Sequence, residues 1–268
     1  TIFETHLVES GFRQKIQQKI LMNSRVNTVL ISQKLLEILQ DENSMRINKY
    51  EILHDAAPRG ITTIPVDQRK EQLEKSINIK VSEWKFVCGY FGQLYKGRGI
   101  DIIEAVAEKL PNVLFLIAGG NDLDLKMKKA GNKNENLKFI GHVSNKKALE
   151  MMRCFDVLLM PYQKTVSLGN FGFDTARWMS PMKMFEYLAS GVVIISSDLP
   201  VLREVLVNEY NSLLVNPENP DEWKKAIIKI MDDSKLAIQL GKNAHQEYLT
   251  KYTWEKRGKE LINFSNYS

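Results

Sequence analysis

The feature that most limits the possible folds is a regular alternation of strand-like and helix-like segments from residue 85 onward. Short apolar, β-branched runs predict strands at residues 86–91, 113–118, 137–140, 157–160, 192–196 and 213–215. Helical segments are predicted at residues 99–110, 121–130, 144–153, 181–190, 200–207, 220–231, 235–249 and 253–264. Such alternation with short connections predicts a parallel sheet covered on both faces, the doubly wound α/β arrangement of Rossmann-like domains.

The first eighty residues follow a different pattern. Phe12, Ile16 and Ile20 recur every four residues and predict the inner face of a helix. Further predicted elements are a strand at residues 26–31, a helix from Ser32 to residue 39 and a short strand ending at residues 52–53. The few elements predicted in this part of the chain can bury only a small hydrophobic core. We therefore expect residues 1–80 to be the second half of an N-terminal domain with a charged linker at 67–80, and residues 81–268 to be a C-terminal domain.

Composition excludes several classes of protein. The chain has 268 residues, of which 44% are apolar and 26% charged, so disorder is not expected. No apolar run approaches the ~20 residues of a membrane span. A net charge of +5 fits an anionic ligand or an acidic membrane surface and is too small for a nucleic-acid-binding protein. Cys88 and Cys154 lie in apolar runs, which predicts buried thiols and a reducing, cytoplasmic location.

One predicted helix has the features of an anion-binding site. Ser180 is expected to cap it, Pro181 to occupy its first position and Gly191 to end it. The free N–H groups and the dipole of such a helix attract an anion. Lys183 adds a positive charge to the first turn, which indicates a bound phosphate, and Glu186 is one turn further in, within reach of a ligand hydroxyl.

A second candidate site is the turn that follows the strand at residues 86–91. Gly92 allows a ligand to approach the backbone, while Lys96 and Arg98 are suited to grip a diphosphate. The turn lacks the dinucleotide fingerprint, and no acidic residue follows the next strand, which disfavours a nicotinamide cofactor. Because both the turn and the helix that carries Lys183 open at the carboxyl edge of one sheet, we expect them to share a ligand.

Other loops at this edge are weaker candidates. Val143 is suited to pack on a flat base, whereas His142 reads as a loop histidine, and His6 is expected at the mouth of the first domain. The long loop at residues 161–178, with Gly169 and Gly172, is either a cover for the site or an insertion. The basic face formed by Arg13, Lys15, Lys19 and Arg25 is either solvated surface or a membrane-docking face.

These segments together resemble a known family of enzymes, the retaining GT-B glycosyltransferases of carbohydrate-active family four. The similar segments, in chain order, are residues 3–6, 29–32, 52–55, 92–97, 139–143, 156–161, 180–191 and 252–257. Each is weak alone, but their order and spacing are specific. The resemblance implies two Rossmann-like domains that face each other, with the last helix, residues 253–264, crossing back to the first.

The resemblance also implies roles for individual residues. His6 is expected near the transferred sugar, Lys96 on the donor diphosphate and Glu186 on the ribose, and we group these three as catalytic. Substrate-binding residues are expected to be Gly92, Arg98, His142, Val143, Ser180, Pro181, Met182 and Lys183. The chain departs from the family pattern twice. The glutamate usually found eight positions before Glu186 is Trp178, and the arginine usually found after the turn glycine is Gln93, with Arg98 as a substitute.

The leading hypothesis is a retaining transferase that moves a hexosyl unit from a nucleoside diphosphate sugar to a glycan or lipid-linked acceptor. Asp122 and Asp124 have metal-binding spacing but begin a predicted helix, so we expect no metal cofactor. The expected partners include no nucleic acid, and peripheral contact with a membrane stays open. Two alternatives are a non-catalytic sugar-nucleotide-binding protein and an epimerase of the same architecture.

Overall fold

The protein is built on two parallel β-sheets, seen in a computed structural model that describes residues 1–42, 44–166 and 174–266. In chain order the strands are β1 (Ile2–Thr5), β2 (Asn27–Leu30), β3 (Tyr50–Ile52), β4 (Phe86–Phe91), β5 (Val113–Ala118), β6 (Leu137–Gly141), β7 (Val157–Met160), β8 (Ile194–Ser197) and β9 (Leu213–Val215). The smaller sheet has the order β1-β2-β3 and the larger the order β6-β5-β4-β7-β8-β9. The order reverses between β4 and β7, and helices cover both faces, so the predicted doubly wound α/β fold is confirmed.

The helices among the described residues lie between these strands and after them. They are α1 (Gly11–Leu21), α2 (Gln33–Glu37), α3 (Val66–Ser76), α4 (Ile100–Lys109), α5 (Asp122–Gly131), α6 (Asn145–Met152), α7 (Met182–Ser190), α8 (Pro220–Asp232), α9 (Ser234–Lys251) and α10 (Trp254–Asn266). A π-helical turn, Ile38–Glu42, extends α2. Apolar clusters fill both sides of the larger sheet, and Cys88 and Cys154 are free, buried thiols, as predicted.

The segment predicted as a helix at residues 200–207 forms only a 3₁₀ turn, Leu202–Glu204. The side chain of Asn211 explains why the turn does not continue. Its Nδ2 donates to the carbonyl of Val205 at 3.0 Å, and its Oδ1 accepts from the N–H of Val207 at 2.8 Å. These backbone groups are therefore satisfied without a longer helix.

The charged segment at residues 67–80, expected to be a linker, instead contains most of helix α3. Leu73 is fully buried against the larger sheet. Charged side chains fix the ends of the segment, because Arg69 donates to the carbonyl of Phe155 and Glu74 accepts from the N–H groups of Val81 and Ser82. The charge of this segment predicted a solvated connection. Its charged side chains instead form hydrogen bonds that hold the helix against the larger sheet.

Helix α1 is present as predicted, but it buries a different face. Phe12 and Ile16 are 77% and 45% exposed, while Gln17 and Leu21 are buried. Gln17 determines this orientation, because its amide donates to Thr5 Oγ1 and to the carbonyl of Leu7. Among the described residues, no helix combines the length and the apolar composition needed to cross a membrane.

Helix α10 lies against the smaller sheet. Arg257 donates through Nε to the carbonyl of His54 at 2.8 Å and through Nη2 to Glu4 Oε1 at 2.7 Å. Further along the helix, Asn27 donates to the carbonyl of Phe264 at 3.3 Å. The last helix therefore ties the end of the chain to its beginning.

Strands β4 and β7 pair where Cys88 and Gly89, in the middle of β4, lie opposite the first two residues of β7, and the strands then separate. Tyr187 bridges the gap, because its hydroxyl accepts from the N–H of Phe91 at 2.9 Å and donates to the carbonyl of Leu159 at 3.4 Å. Tyr187 is fully buried on α7. One hydroxyl thus links the two strands between which the strand order reverses.

We expect Tyr187→Phe to lower the free energy of unfolding by about 1–3 kcal/mol, because the buried N–H of Phe91 loses its acceptor. Urea unfolding followed by circular dichroism measures the change. Tyr210→Phe is the matched control, since Tyr210 is exposed and its hydroxyl makes no hydrogen bond to the described residues; we expect a change within about 0.5 kcal/mol. Coincident unfolding curves for Tyr187→Phe and the unaltered protein would contradict the bridging role.

Candidate functional site

A cavity of about 710 Å³ lies between the two sheets. Its walls come from the segments that follow β4, β5, β6 and β7 in the larger sheet and β1, β2 and β3 in the smaller one. Since all these strands are parallel, their carboxyl ends converge on it. Ligands of open α/β sheets bind at this edge, where the strand order reverses.

All the predicted site residues except Lys96 line this cavity. They are His6, Gly92, Arg98, His142, Val143, Ser180, Pro181, Met182, Lys183 and Glu186. The two glycines named for a possible cover, Gly169 and Gly172, lie outside the described residues. Sequence reasoning missed three polar or aromatic lining residues in particular, Asp55, Asn145 and Trp178, as binding groups.

Lys96 is exposed and lies outside the cavity wall, whereas Arg98 points inward. The glycines on either side of Arg98 explain the difference. Gly97 and Gly99 have φ of +89° and +78°, and a Cβ at Gly99 would lie 1.8 Å from the carbonyl oxygen of Pro161. The turn is thus pressed against the segment after β7, which directs the guanidinium into the cavity and leaves the Lys96 side chain in solvent.

Helix α7 begins one residue later than predicted. Its N-cap is Pro181, which has no side-chain hydrogen bond, and the N–H groups of Met182 and Lys183 have no partner among the described residues. Ser180 does not cap the helix, because its Oγ accepts from the N–H of Asp55 at 3.0 Å. Ser180 therefore ties the start of α7 to the smaller sheet, and the helix N-terminus stays open toward the cavity.

The amino group of Lys183 is fully buried and makes no hydrogen bond to any described residue. It lies over the rings of Tyr90 and Tyr162, 4.2 and 4.5 Å from their centroids. Burial, aided by the charge of Arg98, holds the pKa of Lys183 well below its ordinary value, while the Glu186 carboxylate acts in the opposite direction. The site thus keeps this nitrogen without an acceptor.

Arg98 shares the Tyr162 ring with Lys183. Its guanidinium lies over Tyr95 and Tyr162, 4.8 and 5.3 Å from their centroids, and donates to both tyrosine hydroxyls at 2.8 and 3.0 Å. Its Nε is buried and has no partner among the described residues. Two basic side chains are therefore held at one place in the cavity wall.

Glu186 is only 8% exposed, and its Oε1 accepts from Asn145 Nδ2 at 2.9 Å. Burial raises the pKa of Glu186, whereas the hydrogen bond from Asn145 and the charge of Lys183 lower it. The sequence signal for Asn145 was its position at the start of α6, directly after Val143 and the cap Ser144. This pair forms the wall on the side of β6.

The wall on the side of the smaller sheet contains His6 and Asp55. His6 Nε2 lies 2.8 Å from Glu4 Oε1, the same oxygen that accepts from Arg257. Burial raises the pKa of Asp55, and the nearby charges of His6 and Arg257 lower it. Asp55 follows β3 as His6 follows β1, so a position at the end of a strand was the signal that could have found it.

Trp178 joins the two sheets at the cavity wall. It is 8% exposed and packs in the apolar cluster of the smaller sheet, with Leu30, Ile31 and Leu35 among its members. Its carbonyl accepts from Ser32 Oγ at 2.8 Å. Its indole Nε1 is buried and has no hydrogen-bond partner among the described residues. The departure from the family pattern at this position therefore serves the contact between the sheets.

Three lining residues thus carry a buried donor without an acceptor among the described residues: Arg98 Nε, Trp178 Nε1 and Lys183 Nζ. The nitrogen atoms of Arg98 and Trp178 cannot accept a hydrogen bond. The amino group of Lys183 can accept one only in its neutral form. Buried polar groups normally find partners. The cavity is therefore chemically complementary to an anion rich in acceptor oxygens.

Comparison with known proteins shows which proteins this chain resembles. An uncharacterized glycosyltransferase of Methanocaldococcus jannaschii is 26% identical over 211 residues, which cover 74% of this chain and 51% of that protein. The phosphatidyl-myo-inositol mannosyltransferase of Mycolicibacterium smegmatis is 29% identical over 161 residues, 59% of this chain and 38% of its own length. The solved structure of HepE from Anabaena in complex with UDP has a TM-score of 0.76 at 13% identity, and the match covers 100% of this chain and 72% of HepE.

This chain spans about half, or less, of the length of the two curated relatives. The similarity to HepE supports the GT-B-type fold. The sequence profile described as glycosyl transferases group 1 matches residues 70–247, which is more than half of the chain. The chain therefore belongs to the group 1 family of glycosyl transferases.

Proposed function

We propose that this chain is the nucleotide-sugar-binding part of a retaining glycosyltransferase, which moves a hexosyl unit from a nucleoside diphosphate sugar to a glycan or lipid-linked acceptor. The observation that carries the proposal is the pair of buried basic groups, Lys183 and Arg98, with nitrogen atoms that lack acceptors. A diphosphate supplies both the negative charge and the oxygens that these groups need.

The donor would span the cavity along α7. Its diphosphate meets the N–H groups of Met182 and Lys183 and the side chain of Arg98, while Glu186 holds the ribose and Val143 packs by the base. The presence of UDP in the HepE structure supports a nucleoside diphosphate ligand. The name of the Mycolicibacterium relative supports a lipid-linked acceptor.

In the proposed reaction, negative charge develops on the leaving diphosphate, next to the basic groups of the cavity wall. The glycosidic bond to the diphosphate breaks, the acceptor oxygen bonds to the same face of the sugar, and the acceptor proton passes to the leaving phosphate. Lys183, Arg98 and the N-terminus of α7 stabilise the charge that develops on that phosphate. Since these groups supply the charge themselves, we propose that the reaction needs no metal ion.

We expect Lys183→Met and Arg98→Met each to weaken binding of UDP or GDP by about ten- to hundredfold, because a charged hydrogen bond contributes about 1.5–3 kcal/mol. Isothermal titration calorimetry measures the affinities. Lys96→Met is the matched control, since Lys96 lies outside the cavity wall, and we expect its affinity to stay within about twofold of the unaltered protein. Failure of the unaltered protein to bind UDP, GDP and ADP would overturn the proposal, as would equal losses in all three variants.

The substitution Lys183→Met should also make the protein without ligand more stable. Lys183→Met replaces a buried nitrogen that lacks an acceptor with an apolar group of similar length, so we expect the free energy of unfolding to rise by about 1–3 kcal/mol. Urea unfolding without ligand measures it, and Lys96→Met should change it by less than about 0.5 kcal/mol. A loss of stability in Lys183→Met would argue that the amino group has a partner in the empty site.

Donor binding should take up a proton. Burial and Arg98 lower the pKa of Lys183 in the empty cavity, and an arriving diphosphate raises it again. Between these two pKa values binding adds up to one proton, so affinity falls by up to about tenfold for each unit that the pH rises. Calorimetry with UDP-glucose or GDP-mannose at a series of pH values below the ordinary lysine pKa of about 10.4, in buffers of different ionisation enthalpy, counts the protons.

The variants separate the possible sources of this proton. The groups that face Lys183 are Arg98, Tyr90, Tyr162 and Glu186. Burial raises the pKa values of both tyrosines and of the carboxyl group of Glu186. Uptake should vanish in Lys183→Met and persist in Glu186→Gln. Uptake that persists in Lys183→Met would assign the proton to another group.

Catalysis separates a transferase from a protein that only binds sugar nucleotides. Release of free sugar or transfer to an acceptor by the full-length protein, followed by chromatography of UDP-glucose or GDP-mannose, would favour the transferase. Binding without any turnover of these donors would favour the non-catalytic alternative.

A further inference from the structure

The described cavity wall contains two carboxylates, Glu186 and Asp55. They differ in their hydrogen bonding, because Glu186 accepts from Asn145, whereas the Asp55 carboxylate has no hydrogen bond or ion pair with any described residue. Asp55 is half-buried, and this burial raises its pKa. A carboxylate in such a place gains most from a ligand that donates hydrogen bonds to it.

The backbone fixes Asp55 beside the start of α7. Its N–H donates to Ser180 Oγ at 3.0 Å, and Ser180 stands one residue before Pro181, the N-cap of that helix. The open N–H groups of Met182 and Lys183 follow directly. Whatever is attached to a phosphate at this N-terminus therefore lies close to Asp55.

The direction of the donor follows from the two ends of the cavity. Glu186 lies one turn inside α7, next to α6 and the segment after β6. Asp55 and His6 lie on the opposite wall, after β3 and β1. A donor whose ribose is at Glu186 and whose diphosphate is at the start of α7 extends its sugar toward the wall that carries Asp55.

We propose that Asp55 accepts a hydrogen bond from a hydroxyl group of the transferred sugar and is the residue of the smaller sheet that positions it. The inference rests on the proposed function, because it takes the diphosphate site as given. No proton changes place in this contact. The substrate class is an uncharged, hydroxylated sugar, since a uronic acid would set its own carboxylate against that of Asp55.

The test compares each nucleotide with its sugar-bearing form. Affinities for UDP and UDP-glucose, and for GDP and GDP-mannose, are measured by calorimetry with the unaltered protein, Asp55→Ala and Asp55→Asn. Asp122→Ala is the matched control, because Asp122 is exposed on α5 outside the cavity. For the pair that binds, we expect Asp55→Ala to weaken the sugar nucleotide by about tenfold or more and the free nucleotide by less than about twofold.

Asp55→Asn should change the affinities for neutral and for acidic sugar nucleotides in opposite directions. The amide keeps an acceptor oxygen, so affinity for UDP-glucose or GDP-mannose should lie between those of Asp55→Ala and the unaltered protein. Removal of the negative charge should at the same time strengthen binding of UDP-glucuronic acid relative to the unaltered protein. A purely structural role of Asp55 would not produce this exchange of preference, and Asp55→Asn preserves the size of the side chain if Asp55→Ala does not fold.

Two results would overturn the inference, and they are distinguishable. Equal weakening of the free nucleotide and the sugar nucleotide in Asp55→Ala, or no weakening of either, would remove Asp55 from the sugar subsite while leaving the diphosphate site intact. Failure of the unaltered protein to bind any of the four probes would overturn the proposed function, and this inference with it.

Discussion

The cavity wall depends on two buried basic side chains that have nitrogen atoms without a hydrogen-bond acceptor among the described residues. The amino group of Lys183 and the guanidinium of Arg98 both lie against the Tyr162 ring, in a wall made by β4, β7 and α7. Desolvating an ion costs several kcal/mol, and a contact with an aromatic ring returns only about 0.5–2 kcal/mol of it. The apolar clusters on both faces of the larger sheet offset the remainder. The empty site therefore keeps buried donors without acceptors in the described part of the chain, which favours binding of an anion.

A second constraint is the junction that keeps the two sheets facing each other. Ser180 accepts from the N–H of Asp55, and Ser32 donates to the carbonyl of Trp178. Glu204 accepts from the N–H groups of Gln33 and Lys34 at the start of α2, at 2.7 and 2.9 Å. Each bond satisfies a backbone group where the two sheets meet, so separation of the sheets would break several hydrogen bonds at once. The geometry of the site is thus a property of the junction.

The sequence could predict the features that neighbouring residues determine, but not those that depend on contacts between distant parts of the chain. Apolar runs predicted the strands of the larger sheet, and the pattern around Pro181 and Lys183 predicted the helix that begins at the cavity wall, because both arise from neighbouring residues. The outward direction of Lys96 could not be predicted, since it follows from contact of Gly97 and Gly99 with the segment after β7. The exposed face of α1 has the same kind of cause, a long-range hydrogen bond from Gln17 to Thr5. Asp55 had a sequence signal, its position after β3, but its place beside α7 follows only from the folded junction.

Trp178 links the junction between the sheets to the proposed sugar site. By resemblance to the family a carboxylate is expected at this position, yet the indole ring packs among apolar residues of the smaller sheet and strengthens the junction. In the proposed arrangement the carboxylate near the sugar comes from Asp55, on the opposite side of that junction. Sugar binding and sheet orientation are then coupled, because the bond between Asp55 and Ser180 places the carboxylate and also joins the sheets. A movement that separates the sheets would remove Asp55 from the sugar while Lys183 and Arg98 still hold the diphosphate, so the closed arrangement would discriminate among sugars and an open one would not.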